Sequence, residues 1–92
     1  MNKIMKKVKE YLQGKLDKAQ IEIEYYTKRL KYRNDELEDK SKVEYESENE
    51  RYQVIYHIEC DISYLQYKVG LCQKDLDKYS EMMNEVIQGE KL

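Results

Sequence analysis

From Ile55 to Val86 the residues Ile55, Ile58, Ile62, Leu65, Val69, Cys72, Leu76, Tyr79, Met83 and Val86 recur at alternating spacings of three and four. A seven-residue period held over this length lays one apolar stripe along a long helix, and that stripe needs a second helix to cover it. The cover lies upstream, where Leu12, Leu16, Ala19, Ile23, Tyr26, Leu30, Arg33 and Leu37 repeat by fours and threes. The pattern predicts an all-α fold, a long antiparallel two-helix coiled-coil hairpin that pairs into a four-helix assembly.

Composition agrees with long helices. The chain has no proline, glycine only at positions 14, 70 and 89, and 39% charged residues, a balance far from that of sandwiches or barrels. Disordered segments are also charge-rich, but they lack a sustained period and are poor in aromatics, whereas this chain carries ten tyrosines. At 92 residues a single helical-hairpin domain over 1–92 is near the small end for burying a sufficient core, so oligomerisation or a partner is expected.

Helix 1 is expected over about 2–39, a reversal over about 40–48 and helix 2 over about 48–89. Upstream of Leu12 the residues Met5 and Val8 extend the first seam with an eleven-residue step, which relaxes the supercoil locally. Gly14 sits in that irregularity, marking either a close approach of another backbone or a tolerated weak point. In the reversal, Ser41 with Glu44 and Ser47 with Glu50 each fit a capping box, so a helix can start at either. No glycine or proline marks the turn. An antiparallel register centred on Glu44 sets Arg33 with Ile55, Leu30 with Ile58, Tyr26 with Ile62, Ile23 with Leu65, Ala19 with Val69, Leu16 with Cys72 and Leu12 with Leu76.

Chemistry-bearing motifs are sparse. Cys60 and Cys72 lie twelve residues apart on one helix, roughly 18 Å of rise, beyond disulfide reach, and are expected as free thiols. His57, Cys60 and Asp61 share a helical face, yet a structural zinc site needs four ligands and neither a second histidine nor a nearby cysteine completes one. No metal and no cofactor is expected; the residues read as a solvent-facing histidine beside a semi-buried thiol. Acid/base catalysis needs a partly dry pocket to separate two carboxyl pKa values, and a hairpin offers none, so the chain reads as not an enzyme. No apolar run approaches 18 residues and no h-region follows the N-terminal lysines, so neither a membrane span nor a signal peptide is recognised and the cytoplasm is the expected location.

Binding surfaces are better marked. Tyr52, Tyr56, Cys60, Tyr64, Tyr67 and Leu71 step by four, four, four, three and four, off the seam, and Ile21, Tyr25 and Tyr32 do so more sparsely on the first helix. Tyrosine suits interfaces because it presents a large rigid area and a polar tip. Charge is uneven as well: residues 1–34 hold ten Lys/Arg against four acids, and residues 35–62 hold ten acids against three bases. The partner-contacting residues are accordingly expected to be Tyr25, Tyr32, Tyr52, Tyr56, Tyr64, Tyr67 and Leu71 with Glu44, Glu46, Glu48 and Glu50. The pattern points to a protein-binding adaptor or inhibitor, a homodimer through the tyrosine stripe, with an acidic tip able to mimic nucleic acid before a basic groove. The alternative is a nucleic-acid-associated accessory factor using the basic N-terminal arm of Lys3, Lys6, Lys7 and Lys9, a less favoured reading given the net charge of −2.

Overall fold

The computed structural model describes residues 3–91 and contains two helices, α1 (Lys3–Ser41) and α2 (Glu48–Lys91), packed against each other as an antiparallel hairpin. Its extents are 70 × 15 × 13 Å. The first residue expected to be helical, Asn2, lies outside the described residues. The expected seams lie at the interface: every one of the ten α2 positions and all eight α1 positions is buried or half-buried, as are Met5 and Val8 upstream. The most enclosed are Leu12, Ala19, Ile58, Ile62, Leu65 and Cys72. Helix-to-helix packing of this kind, rather than intrinsic propensity, supplies most of the stability of such helices.

Between the helices, residues 42–47 reverse the chain without any positive-φ residue among those described. The last turn of a helix leaves carbonyls with no intrahelical partner, and here two of them find donors nearby. The Lys42 backbone N–H donates to the Asp39 carbonyl (3.2 Å) and the Tyr45 hydroxyl to that of Lys40 (2.8 Å), while the Ser41 hydroxyl donates one turn back to the Leu37 carbonyl (2.7 Å). Of the two candidate caps only Ser47 starts a helix. Its Oγ accepts from the Glu50 N–H at 3.1 Å, and its carbonyl accepts the first helical bond from Arg51 at 3.1 Å. Ser41 instead belongs to the end of α1. Glu48 and Glu50, in the first turn of α2, face the positive end of its dipole.

Polar contacts cross the seam at its flanks. Arg33 pairs with Asp61 (2.6 Å) and, within its own helix, with Glu36 (2.6 Å). The Lys68 ammonium stands 5.5 Å from the Tyr26 ring centre, the Cys72 thiol donates to the Glu22 carboxylate at 3.4 Å, and Lys9 pairs with Glu90 at the far end. Arg33 thus reaches Asp61 and Tyr26 reaches Lys68, each further along α2 than Ile55 and Ile62, the residues the register sets level with them. Helical side chains lean toward their own N-terminus. In an antiparallel pair a long α1 side chain therefore reaches past the α2 residue level with its Cα, toward higher numbers. Gly14 does not mark a close approach within the hairpin, since a Cβ built there meets nothing within 4 Å.

Candidate interaction surface

Residues seven apart fall on one line along a coiled-coil helix. In α2 two such lines face α1, and the lines opposite them form its back: Gln53, Cys60, Tyr67; His57, Tyr64, Leu71; and Tyr56, Ser63, Gly70. All nine are exposed. Tyr52 stands on the flank of this back face, so the expected stripe starts at one edge of α2 and winds onto the side turned away from α1. Each tyrosine of the expected site, on either helix, keeps half or more of its surface in water, from 50% at Tyr56 to 68% at Tyr32. Leu71 is 37% exposed.

The rings are ordered along the helix. Tyr52 and Tyr56 stack with centroids 5.5 Å apart, and Tyr56 meets His57 edge to face at 6.3 Å. A hydrogen bond with the Cys60 thiol, followed by the charges that Cys60 and Tyr52 acquire on ionising, holds the Tyr56 phenol above its ordinary pKa. Cys60 is exposed rather than semi-buried, because it lies on the back line with Tyr67. His57 against Tyr56, Cys60 against Tyr56 and Asp61 against Arg33 thus each have another contact. Among the described residues no three His, Cys, Asp or Glu side chains gather as a metal site would require.

This face is also poor in charge, a feature that the sequence itself carries. Between Tyr52 and Gln73 only Glu59, Asp61 and Lys68 are charged, in a chain where 39% of residues are, and none of the three lies on a back line. A helix side that points into water ordinarily carries the charge. On α1 the ordinary rule holds. Tyr25 and Tyr32 are separated by Lys28 and Lys31, Arg29 lies 5.8 Å over the Tyr25 ring, and Tyr25 itself meets Tyr26 edge to face at 5.2 Å. The α1 tyrosines are therefore part of a charged surface, and the structure does not bring them onto the α2 face.

Glu44, Glu46, Glu48 and Glu50 are all exposed at the reversal. At the other end Lys3, Lys6 and Lys7 are exposed, while Lys9 is half-buried against Glu90. The apolar side of that basic arm is spent within the hairpin, since Leu12 is buried and Met5 and Val8 are half-buried. Grooves along the rod are shallow and open to solvent; one near the start of α2 is lined by Glu48, Arg51, Tyr52, Ile55, Tyr56 and Glu59. Neither α1 nor α2 is long and apolar enough, over the described residues, to cross a membrane. Compared with protein families, with curated proteins and with solved structures, the chain matches none.

Proposed function

We propose that the protein is a small non-enzymatic interaction module, an adaptor or inhibitor that acts by occupying the surface of a partner protein, and that the back of α2 also supports homodimerisation. The observation that carries this reading is the exposed, charge-poor aromatic face from Tyr52 to Leu71. Its surface area supports the reading. The chain exposes 7435 Å², whereas a compact monomer of 11.3 kDa would expose about 5,700 Å². A two-helix rod thus leaves surface that a further layer would bury. Each large side chain buried contributes roughly 1.5 to 3 kcal/mol, and association costs about 4 to 15 kcal/mol, so five or six such residues per copy suffice for a stable contact. We assign the protein to the cytoplasm, where two unpaired thiols persist reduced.

The acidic tip is the second contact surface of this proposal. It offers carboxylates to a basic groove in the manner of nucleic acid, and the α2 face supplies apolar anchors beside it. The test is affinity capture from the native cell with three baits: the wild type, a Tyr56→Ser/Tyr64→Ser/Tyr67→Ser variant, and a variant with Glu44, Glu46, Glu48 and Glu50 changed to glutamine. A specific partner should be captured by the wild type and lost by the tyrosine variant. The glutamine variant should bind it with a slower on-rate that no longer falls with salt, because charge steering acts mainly on association. A partner held equally by all three baits would overturn the reading.

A further inference from the structure

The outer side of α1 differs from the back of α2 in setting cations among its aromatic rings. Two neighbouring lines there run Tyr11, Lys18, Tyr25, Tyr32 and Lys7, Gly14, Ile21, Lys28; all eight residues are exposed and none is acidic. On the next line, toward α2, the Lys15 ammonium stands 5.5 Å from the Tyr11 ring centre and the Arg29 guanidinium 5.8 Å from that of Tyr25. Among the described residues none of Lys7, Lys15, Lys18, Lys28 and Arg29 is in an ion pair within the chain. An open groove on this stripe is lined by Tyr25, Lys28, Arg29, Tyr32, Arg33 and Glu36, and there Arg33 and Glu36 pair with each other.

The acids around the stripe lie on the other flank, are already engaged, or are matched by bases. Glu10, Asp17 and Glu24 share the line on the far flank of α1. There Gln13 donates to Asp17 at 2.9 Å and Gln20 to Glu24 at 3.4 Å, each amide standing one line further round the helix from the stripe. Toward α2, Glu22 accepts from the Cys72 thiol and Asp61 pairs with Arg33. The two α2 lines nearest the stripe otherwise add Lys68 and Lys78 against Asp75 and Glu85, which cancel. Past Tyr32 both α1 lines turn acidic, at Asp35 and Asp39, and this closes the stripe. Much of the chain's negative charge lies beyond that point, with eight of its nineteen acids between Asp35 and Glu50.

From this we infer that the outer side of α1 binds single-stranded nucleic acid between Lys7 and Tyr32, with bases stacked on Tyr11, Tyr25 and Tyr32 and phosphates on the five unpaired cations. The inference goes beyond the protein-binding role proposed for α2 and does not depend on it. Proteins that hold a single strand without reading its sequence combine a positive track with aromatic platforms. The stripe supplies both over about 30 Å from Tyr11 to Tyr32, with Tyr25 and Tyr32 about 10 Å apart along the axis. A duplex keeps its bases stacked on one another and has none to offer the rings. An acidic peptide would meet the cations but leave the ring faces in water. Charges further than about 8 Å are screened at physiological salt, so the acidic reversal opposes the strand only at the Tyr32 end.

Fluorescence anisotropy of labelled oligo(dT) and oligo(U) with the full chain in reducing buffer tests the inference. The wild type should bind with a micromolar dissociation constant at low salt. The logarithm of its affinity should fall against that of salt with a slope of about −3 to −4, for five contacts at about 0.7 each. Lys18→Gln/Lys28→Gln/Arg29→Gln should flatten that slope by about 2. Tyr25→Ala/Tyr32→Ala should raise the dissociation constant at least about tenfold at unchanged slope, since it removes stacking and no charge. Circular dichroism should show wild-type helicity in both. The α2 variant Tyr56→Ser/Tyr64→Ser/Tyr67→Ser should bind the strand as the wild type does, so the reading of α2 stands or falls separately. Absence of binding overturns the inference, as does a tyrosine variant that binds as tightly as the wild type, which is attraction by charge alone. A slope unchanged in the Lys/Arg variant, or a duplex bound as tightly as the single strand, overturns it too.

Discussion

Two cysteines on one helix divide into two environments, and the division follows from which line each occupies. Cys72 is in the seam, 4% exposed, with its thiol donating to Glu22; Cys60 is on the back and exposed. Burial, then the hydrogen bond and charge of Glu22, push the Cys72 thiol above its ordinary value, against a smaller opposing effect of Lys68. A thiol whose folded pKa is raised favours the folded state below its unfolded pKa, and that advantage is lost as pH rises through the folded value. The unfolded chain then ionises first. The expected outcome is that wild-type unfolding free energy falls faster than that of Cys72→Ala as pH goes from 8 to 10 in urea titrations. The tyrosines and lysines common to both proteins largely cancel in that difference. Parallel pH profiles would show that the Cys72 thiol has no preferential protonation in the fold.

At the scale of the element, the start of α2 is set by one hydroxyl. Ser47 accepts from the Glu50 N–H, whereas Ser41 donates to a carbonyl of the helix it ends. Ser47→Ala should cost about 1 kcal/mol, the usual loss for an N-cap, and Ser41→Ala a few tenths, because it removes an exposed donor whose carbonyl water can serve. Equal effects in thermal denaturation would remove the distinction between the two serines. Sequence alone could not make it, since both fit Ser-x-x-Glu. What separates them is the bond of Ser41 back into α1 and the capping of its last carbonyls by Lys42 and Tyr45, and the Tyr45 contact depends on how the reversing backbone returns. The seams were fully legible because a seven-residue period needs only residue type and spacing. The exposure of Cys60 was legible by the same period, since a seam through Ile55, Ile58 and Ile62 puts it on the back line with Tyr67; the expectation of a semi-buried thiol gave its apolar character more weight than its position. The charge-poor stretch from Tyr52 to Gln73 was also legible, but as a missing residue type rather than a repeating one.

For the whole molecule the question is whether the hairpin closes on itself, given a strongly acidic reversal six residues long and a rod with a radius of gyration of 20.5 Å. Opening the turn in a lone chain would relieve carboxylate repulsion, but it would also strip Leu12, Ala19, Ile58, Ile62, Leu65 and Cys72 of their cover. Six buried side chains contribute several kcal/mol together even with Ala19 and Cys72 counted low, whereas exposed like charges act through water and are worth tenths each. Packing should therefore win at any salt concentration. Low ionic strength is the harshest condition, because the screening length grows from about 8 Å at physiological salt to about 30 Å at 0.01 M. Small-angle scattering separates the alternatives by length. The closed hairpin spans 70 Å. One continuous helix over the described residues, paired or swapped with another copy, would reach about 130 Å at 1.5 Å per residue. The maximum dimension is expected to stay below about 100 Å from 0.01 to 0.3 M salt. A rise toward the longer value as salt is removed would mean that the chain exchanges helices between copies, which keeps the seam covered while the carboxylates of the tip move apart.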